Sequence, residues 1–362
     1  MKSILLILFC VGSVNAGGYC ISTSAQLAAA ITSAENSSED STIRITIGSY
    51  LAPANGFFYD GNNNNNYDIT FSGGWTSDGI DPCGKFPDAQ VSTPGTTLNA
   101  NFQSRVLMIR PPKYANVTVS GLTFINGYNP SSGGGLRINL PSGGDSTGTV
   151  TIEKNSFYDN TAGRFGAALF VRNANKIVVR NNLFFDNFHS ILGFGSQVVH
   201  LETDRTVGIY AVNNTIIHNE GGLLLLVDGG NGAQAMAVNN LIWENDLEPF
   251  SANFALRGNG FKYVYNNNIS TVVNGVGFGN ISLPPLFENN SFAPSVNSPL
   301  INTGRKPPTL LPNPPIFNLS WGAGLQDIEY NPREVFRIDI GAYESPYLMQ
   351  IEIPIFIDGF EG

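Results

Sequence analysis

The sequence predicts an all-β fold: a right-handed parallel β-helix, a single-stranded solenoid with a short N-terminal helical cap. Three observations lead there. An apolar position recurs at Phe124, Phe157, Phe184, Ile216, Ile242 and Ile269, at spacings of 33, 27, 32, 26 and 27 residues. Around it, apolar and polar residues alternate with the period of a strand, as in Val150-Thr151-Ile152-Glu153. Asparagines bracket each unit, as in NNLFFDN (181–187), NNTIIHN (213–219) and NNLIWEN (239–245). So short a strand cannot bury its apolar face alone, but stacked copies can. Repeats of about 27 residues made of strand and turn fit one coil per repeat.

The elements follow in chain order. Lys2, the apolar run Ile4 to Val11 and the small-residue pattern Val14-Asn15-Ala16 read as a secretory signal peptide over residues 1–16. Its removal leaves an acidic chain, because losing Lys2 takes the formal charge from -9 to -10. That charge argues against nucleic acid or an anionic membrane as partner. No later apolar stretch reaches the roughly 18 residues of a membrane helix. The segment SAQLAAAITSAE (24–35) reads as one helix with Ser24 as its cap. Cys20 and Cys83 remain after cleavage, and in an oxidising compartment they pair; two buried free thiols are the alternative. No Cys/His spacing resembles a zinc site, and no metal is expected. The tract Asn62 to Asn66 breaks the repeat and reads as an exposed loop.

Regular coils are expected over residues 116–282. Their first strands start at Val117, Val150, Ile177, Ile209, Ala235 and Phe261. A further apolar strand follows each asparagine-bounded motif, as in GAALFVR (166–172) and GGLLLLV (221–227). Residues 17–115 supply the cap and first coils, and the Pro-rich stretch 283–345 closes the other end of a single domain spanning 17–345. Stacking places equivalent asparagines about 4.8 Å apart, where their amides hydrogen-bond in ladders. One ladder is Asn155, Asn182, Asn214, Asn240 and Asn267; the other is Asn160, Asn187, Asn219 and Asn245. Asn also tolerates left-handed backbone, so these residues are expected to turn the chain between strands.

Three stretches resemble known families. GGGLRI, NSFYDN and GAALFV are similar to polymorphic outer-membrane protein repeats. The opening YCISTSAQLAAAITSAE resembles the start of bacterial secreted β-helix proteins. NSPLINTG (297–304), Asp327, Arg333 and DIGAYE (339–344) resemble the closing pattern of choice-of-anchor Q domains. The resemblance implies one continuous domain, secreted or displayed on a cell surface. It implies no single activity. The tail 346–362 ends in IFIDGFEG, similar to short tails on some proteobacterial secreted proteins; it reads as a sorting strand or as a last packed strand.

For function, the sequence lacks the paired-Asp, GHG and RIK motifs of pectin hydrolases. RPPK (110–113) matches the basic strand of pectate lyases only in part. One surface stands out from the repeat. Asp159, Asp186, His218 and Glu244 precede the second ladder, and Tyr158, Phe185, Ile217 and Trp243 precede them. If Phe157, Phe184, Ile216 and Ile242 face inward, alternation turns the aromatic column outward. Exposed rings stack on sugars and paired carboxylates hold hydroxyls or a cation. A shifted turn or a covering C-terminal tail would instead close this stripe. Arg164, Arg172, Arg180, Arg205 and Arg257 are scattered, and one of them near Asp186 or Glu202 would serve a lyase. His189 and His200 carry no pattern of their own. The chain thus reads as a secreted, monomeric, non-catalytic binding or adhesion protein for an extracellular glycan or cell surface, without cofactor. The alternatives are a polysaccharide lyase with a divergent site, which would call for calcium, and a structural surface spacer.

Overall fold

The computed structural model describes residues 17–61, 66–86, 95–142, 147–190, 197–228, 232–245, 252–270, 277–289, 291–305, 309–310, 316–317, 322–333 and 337–347. The signal sequence, Asn62 to Asn65 and the tail beyond Tyr347 lie outside the described residues. The chain forms a right-handed parallel β-solenoid of about seven turns. A typical coil runs through strands Thr149–Glu153, Ser156–Tyr158 and Leu169–Arg172, with the short strand Thr161–Ala162 at its second corner. Stacked coils build three parallel sheets. Among the described residues sheet 1 has nine strands, sheet 2 eight and sheet 3 seven.

The apolar column aligned in the sequence is a column of paired residues in sheet 2, running from Phe124 through Phe157, Phe184, Ile216 and Ile242 to Ile269. All six are at most 2% exposed. The Phe124, Phe157 and Phe184 rings stack with centroids 4.7 and 4.8 Å apart and planes tilted by 6° and 11°. The strand spacing thereby sets the ring spacing. Each buried phenylalanine contributes on the order of 1.5–3 kcal/mol by removal from water.

Both ladders run inside the wall. Asn155 Nδ2 donates to Asn182 Oδ1 at 3.1 Å, Asn182 to Asn214 at 3.0 Å, Asn214 to Asn240 at 2.9 Å and Asn240 to Asn267 at 2.9 Å. In the second ladder Asn160 donates to Asn187 at 3.0 Å, Asn187 to Asn219 at 2.8 Å and Asn219 to Asn245 at 2.8 Å. Each amide also closes its own corner: Asn182 Nδ2 lies 2.9 Å from both the Ile152 and Arg180 carbonyls, and its Oδ1 accepts the Asn155 main-chain N–H at 3.0 Å.

The left-handed backbone is displaced by one residue from its expected place. The residues before the ladder asparagines carry it: Asn181, Asn213, Asn239 and Asn266 at the first corner, with φ of 54°, 52°, 57° and 51°. At the second corner Asp159, Asp186, His218 and Glu244 have φ of 55°, 50°, 55° and 49°. The reason is geometric. The ladder residue must aim its amide inward along the stack, so the sharp bend falls on the residue ahead of it.

At the N-terminal end, helix Ser24–Glu35 lays Leu27, Ala30, Ile31 and Ala34 over the first coil. Thr23, not Ser24, is its cap: Thr23 is extended and its hydroxyl accepts from the Gln26 N–H at 3.2 Å. The expected Cys20–Cys83 disulfide is present, tying the first strand to a loop 63 residues away. By the chain-entropy argument such a closure is worth about 4 kcal/mol.

Of the stretch 283–345, expected to close the far end, Leu283 lies against Asn268 of the last coil, and the described residues that follow run back along one flank as a strap. Its handholds are the first-corner asparagines. Nδ2 of Asn266 donates to the Thr303 carbonyl at 3.1 Å, and that of Asn239 to Arg305 at 2.8 Å. Asn213 donates to Asp339 at 2.8 Å, and Asn181 to Ala323 at 2.6 Å. One coil further, Lys154 reaches Gln326 at 3.3 Å and lies 4.8 Å from the centre of the Tyr330 ring.

A buried clasp holds the strap in shape. Arg333 donates to Glu344 Oε2 at 2.7 Å, to Asn181 Oδ1 at 2.6 Å and to the Gly341 carbonyl at 2.9 Å. The Asp339 carboxylate accepts the Asn302 and Ser345 N–H groups, each at 2.7 Å. Asp327 accepts the Asn331 N–H at 2.7 Å and the Glu344 N–H at 2.9 Å. Burial pushes the Glu344 carboxyl up to about 7 against the pull of Arg333, and burial likewise raises Asp339.

Two outcomes are expected. Asn182→Leu removes the donors and acceptor of one rung and leaves main-chain groups unsatisfied, so it should cost about 3 kcal/mol or more in urea unfolding. The pH response has a defined sign. A carboxyl raised from 4.5 to about 7 binds its proton more tightly in the folded chain. Its stabilising contribution is complete below about pH 4.5 and is lost as pH rises through about 7. Urea midpoints should therefore fall over that interval, and Glu344→Gln should flatten the fall.

Candidate functional site

The stripe read from the repeat lies on the outer face of sheet 2 and on the corner beside it. Register carries Tyr158 onto Phe185, Phe185 onto Ile217 and Ile217 onto Trp243. Tyr158 and Phe185 stack, with centroids 4.8 Å apart and planes at 22°. Both rings are half-buried, and Tyr128 and Phe188, 37% and 39% exposed, stand beyond the corner next to them.

The neighbouring polar column consists of left-handed residues. Glycine adopts this conformation at least cost, asparagine, aspartate and histidine tolerate it next best, and other residues lose about 1–2 kcal/mol there. Gly121 and the four asparagines of the first corner follow that preference. At the second corner Asn126, Asp159, Asp186 and His218 follow it too, and Glu244, like Lys154 at the first corner, does not.

Asp159 and Asp186 are neighbours on successive coils, joined through the Asp159 N–H and the Asp186 carbonyl at 2.9 Å. Burial raises the Asp159 carboxyl above its ordinary value, and the adjacent Asp186 charge adds to the rise. Burial, then Asp159, does the same to the Tyr158 phenol. Further along, His218 Nε2 and Glu244 Oε2 meet at 3.1 Å in an exposed pair.

The strap divides this stripe. Phe292 lies 5.3 Å from the Phe185 ring and 6.1 Å from His218. Trp243, like Ile281 and Phe287, packs against the buried cluster of Leu241, Leu300 and Ile340. Ile217 is fully buried. The open part is Tyr158, Asp159, Asp186 and the exposed edge of Phe185, with the His218–Glu244 pair at the border.

The basic residues fall elsewhere. Arg180 pairs with Glu153 at 2.7 Å on sheet 1, and Arg172 pairs with Glu202 at 3.7 Å on sheet 3. His200 is buried and lies 3.3 Å from Glu202, and His189 is buried at the second corner, where desolvation lowers it to about 4. Asp186 and Glu202 thus stand on different faces. Among the described residues no group of three His, Cys, Asp or Glu is placed to hold a metal ion.

Sequence reasoning missed the first-corner column Lys154, Asn181, Asn213, Asn239 and Asn266. Its signal was the doublet Asn-Asn itself, in which only the second member is needed for the ladder. It also read the arginines one at a time, although Arg110, Arg137 and Arg172 share the outer face of sheet 3.

No curated protein and no solved structure shows a match to the chain. The family model described as right-handed beta helix region matches residues 97–277, which contain both asparagine ladders except the link from Asn267 to Asn280. On that match and on the stacked coils that fill it, the chain belongs to the right-handed β-helix family.

Proposed function

We propose that this protein is a non-catalytic carbohydrate-binding protein, exported to the medium or the cell surface. Its site is the open part of the sheet 2 stripe, Tyr158, Asp159, Phe185 and Asp186. One observation carries the reading. Two outward aromatic rings stack on successive coils beside two carboxylates on adjacent left-handed corners. Stacked rings offer an apolar platform for a sugar face, and adjacent carboxylates accept its hydroxyls. The similarity of DIGAYE and its partners to choice-of-anchor Q domains, the repeats similar to polymorphic outer-membrane proteins and the signal-like first 16 residues support export.

A lyase would require a basic residue beside the acids, and Arg172 and Arg180 sit on other sheets. The experiment is a neutral and acidic glycan panel assayed with and without calcium, following binding, unsaturated-product absorbance and reducing ends. Binding without turnover is expected, weakened about tenfold by Tyr158→Ala and by Asp186→Asn. Trp243→Ala should lower stability rather than affinity, because the strap covers that ring. Product formation lost in Asp186→Ala would replace this reading with a lyase. Failure to bind any glycan would leave the spacer.

A further inference from the structure

Sheet 3 carries a second feature that the stripe does not use. Its inner residues, Leu107, Ile109, Leu136, Ile138, Leu169 and Val171, are buried, so alternate residues face outward. Register places Arg137 between Met108 and Phe170, and Arg172 between Asn139 and Glu202. Arg110 follows Ile109, the partner of Ile138, and so stands in line with Asn139. Arg105 lies at the base of the same face, tied to the Gly133 carbonyl at 2.6 Å and to that of Ser132 at 2.7 Å.

These guanidinium groups are close enough to disturb one another. Burial lowers Arg137, and the charges of Arg110 and Arg172 lower it further; Arg105 is lowered by burial, Arg137 and Arg110. They stand in two neighbouring columns, Arg137 between Met108 and Phe170 and Asn139 between Arg110 and Arg172, so their like charges repel at a distance and are not directly opposed. The chain supplies little to neutralise them. Two carboxylates approach the four arginines: Asp60 stands 3.7 Å from Arg110 and Glu202 stands 3.7 Å from Arg172, both beyond hydrogen-bond length. Arg137 has no carboxylate partner among the described residues. Nε of Arg137, Nε of Arg172 and Oδ1 of Asn139 are shielded from solvent without a hydrogen bond. Yet two of the groups are held in place by rings. Arg110 lies 5.1 Å from the Phe58 centroid and Arg137 lies 5.3 Å from that of Phe170.

We propose that the outer face of sheet 3 binds an acidic polysaccharide, with Arg110, Arg137 and Arg172 receiving carboxylates from successive sugar units. Three properties point to that chemistry. Guanidinium forks match planar carboxylates in paired hydrogen bonds. The groups are distributed along the solenoid axis at the strand spacing, which suits a repeating anion on an extended chain rather than one small ion. The net charge of -9 acts over the whole molecule. Screening confines each charge to about 8 Å in physiological salt, so the local excess of arginine governs an anion lying on the face.

The inference stands independently of the sheet 2 reading. The full chain is titrated with alginate, a uronate polymer, in chelator and at several salt concentrations. Alginate esterified at its carboxyls, neutral dextran and duplex DNA are the comparisons. Alginate should bind, with affinity falling as salt rises, while the ester and dextran should not. The double variant Arg137→Gln, Arg172→Gln should weaken binding about a hundredfold at unchanged melting temperature, and Tyr158→Ala should leave it unchanged. In the opposite direction, Glu202→Gln should tighten binding severalfold, a test that survives if the double variant does not fold. Equal binding of the ester, tighter binding of DNA than of alginate, or an unchanged affinity in both arginine and Glu202 variants would overturn the proposal.

Discussion

Everything in this molecule is arranged around one contact: an asparagine amide that donates to the amide oxygen of the asparagine one coil above. The chain must bend sharply at two corners of each coil, and each bend would strand main-chain carbonyls inside the wall. The ladder amide satisfies them and joins its neighbour in the same act, as Asn182 does with Ile152, Arg180 and Asn214. Because both ladders are buried, a rung cannot be exchanged for water, and the coils are locked in register. That register in turn superimposes Phe157 on Phe184 in the core and Tyr158 on Phe185 outside.

The division of labour within each Asn-Asn pair extends this constraint to the surface. The second residue is consumed by the ladder. The first takes the left-handed bend and presents its amide outward, where it accepts a length of chain that has no repeat of its own. The strap is thus read by the corners much as a new strand is read by a sheet edge. Its buried Arg333–Glu344 pair sits between Asp327 and Asp339, both of which are occupied by N–H donors. Hydrogen bonds to each carboxylate, rather than one ion pair, make the clasp tolerable away from water.

Much of the fold was legible because a solenoid repeats its physics. Phe124 and Ile269 could be aligned across the whole array from spacing alone, since each strand buries the same face. The bends were misread by one residue for an equally physical reason: Asn181 and Asn182 have similar propensities and differ only in which way the stack aims them. That a C-terminal segment could cover the stripe was legible, but which residues would do so was not. Phe287 and Phe292 come from a non-repeating segment, so no periodicity announces that they return to an earlier coil. The same holds for Arg110, Arg137 and Arg172. Coil lengths vary between the corners, which hides their common face until the register is known.

A plain solenoid is a one-dimensional stack in which each coil feels only the coils beside it, and its ends can fray independently. The strap changes that connectivity. By gripping Asn266, Asn239, Asn213, Asn181 and Lys154 in turn, it links coils that never touch one another directly. A spring-like array thereby gains a stiffening spar, and opening any one coil along it means loosening an element shared with the rest.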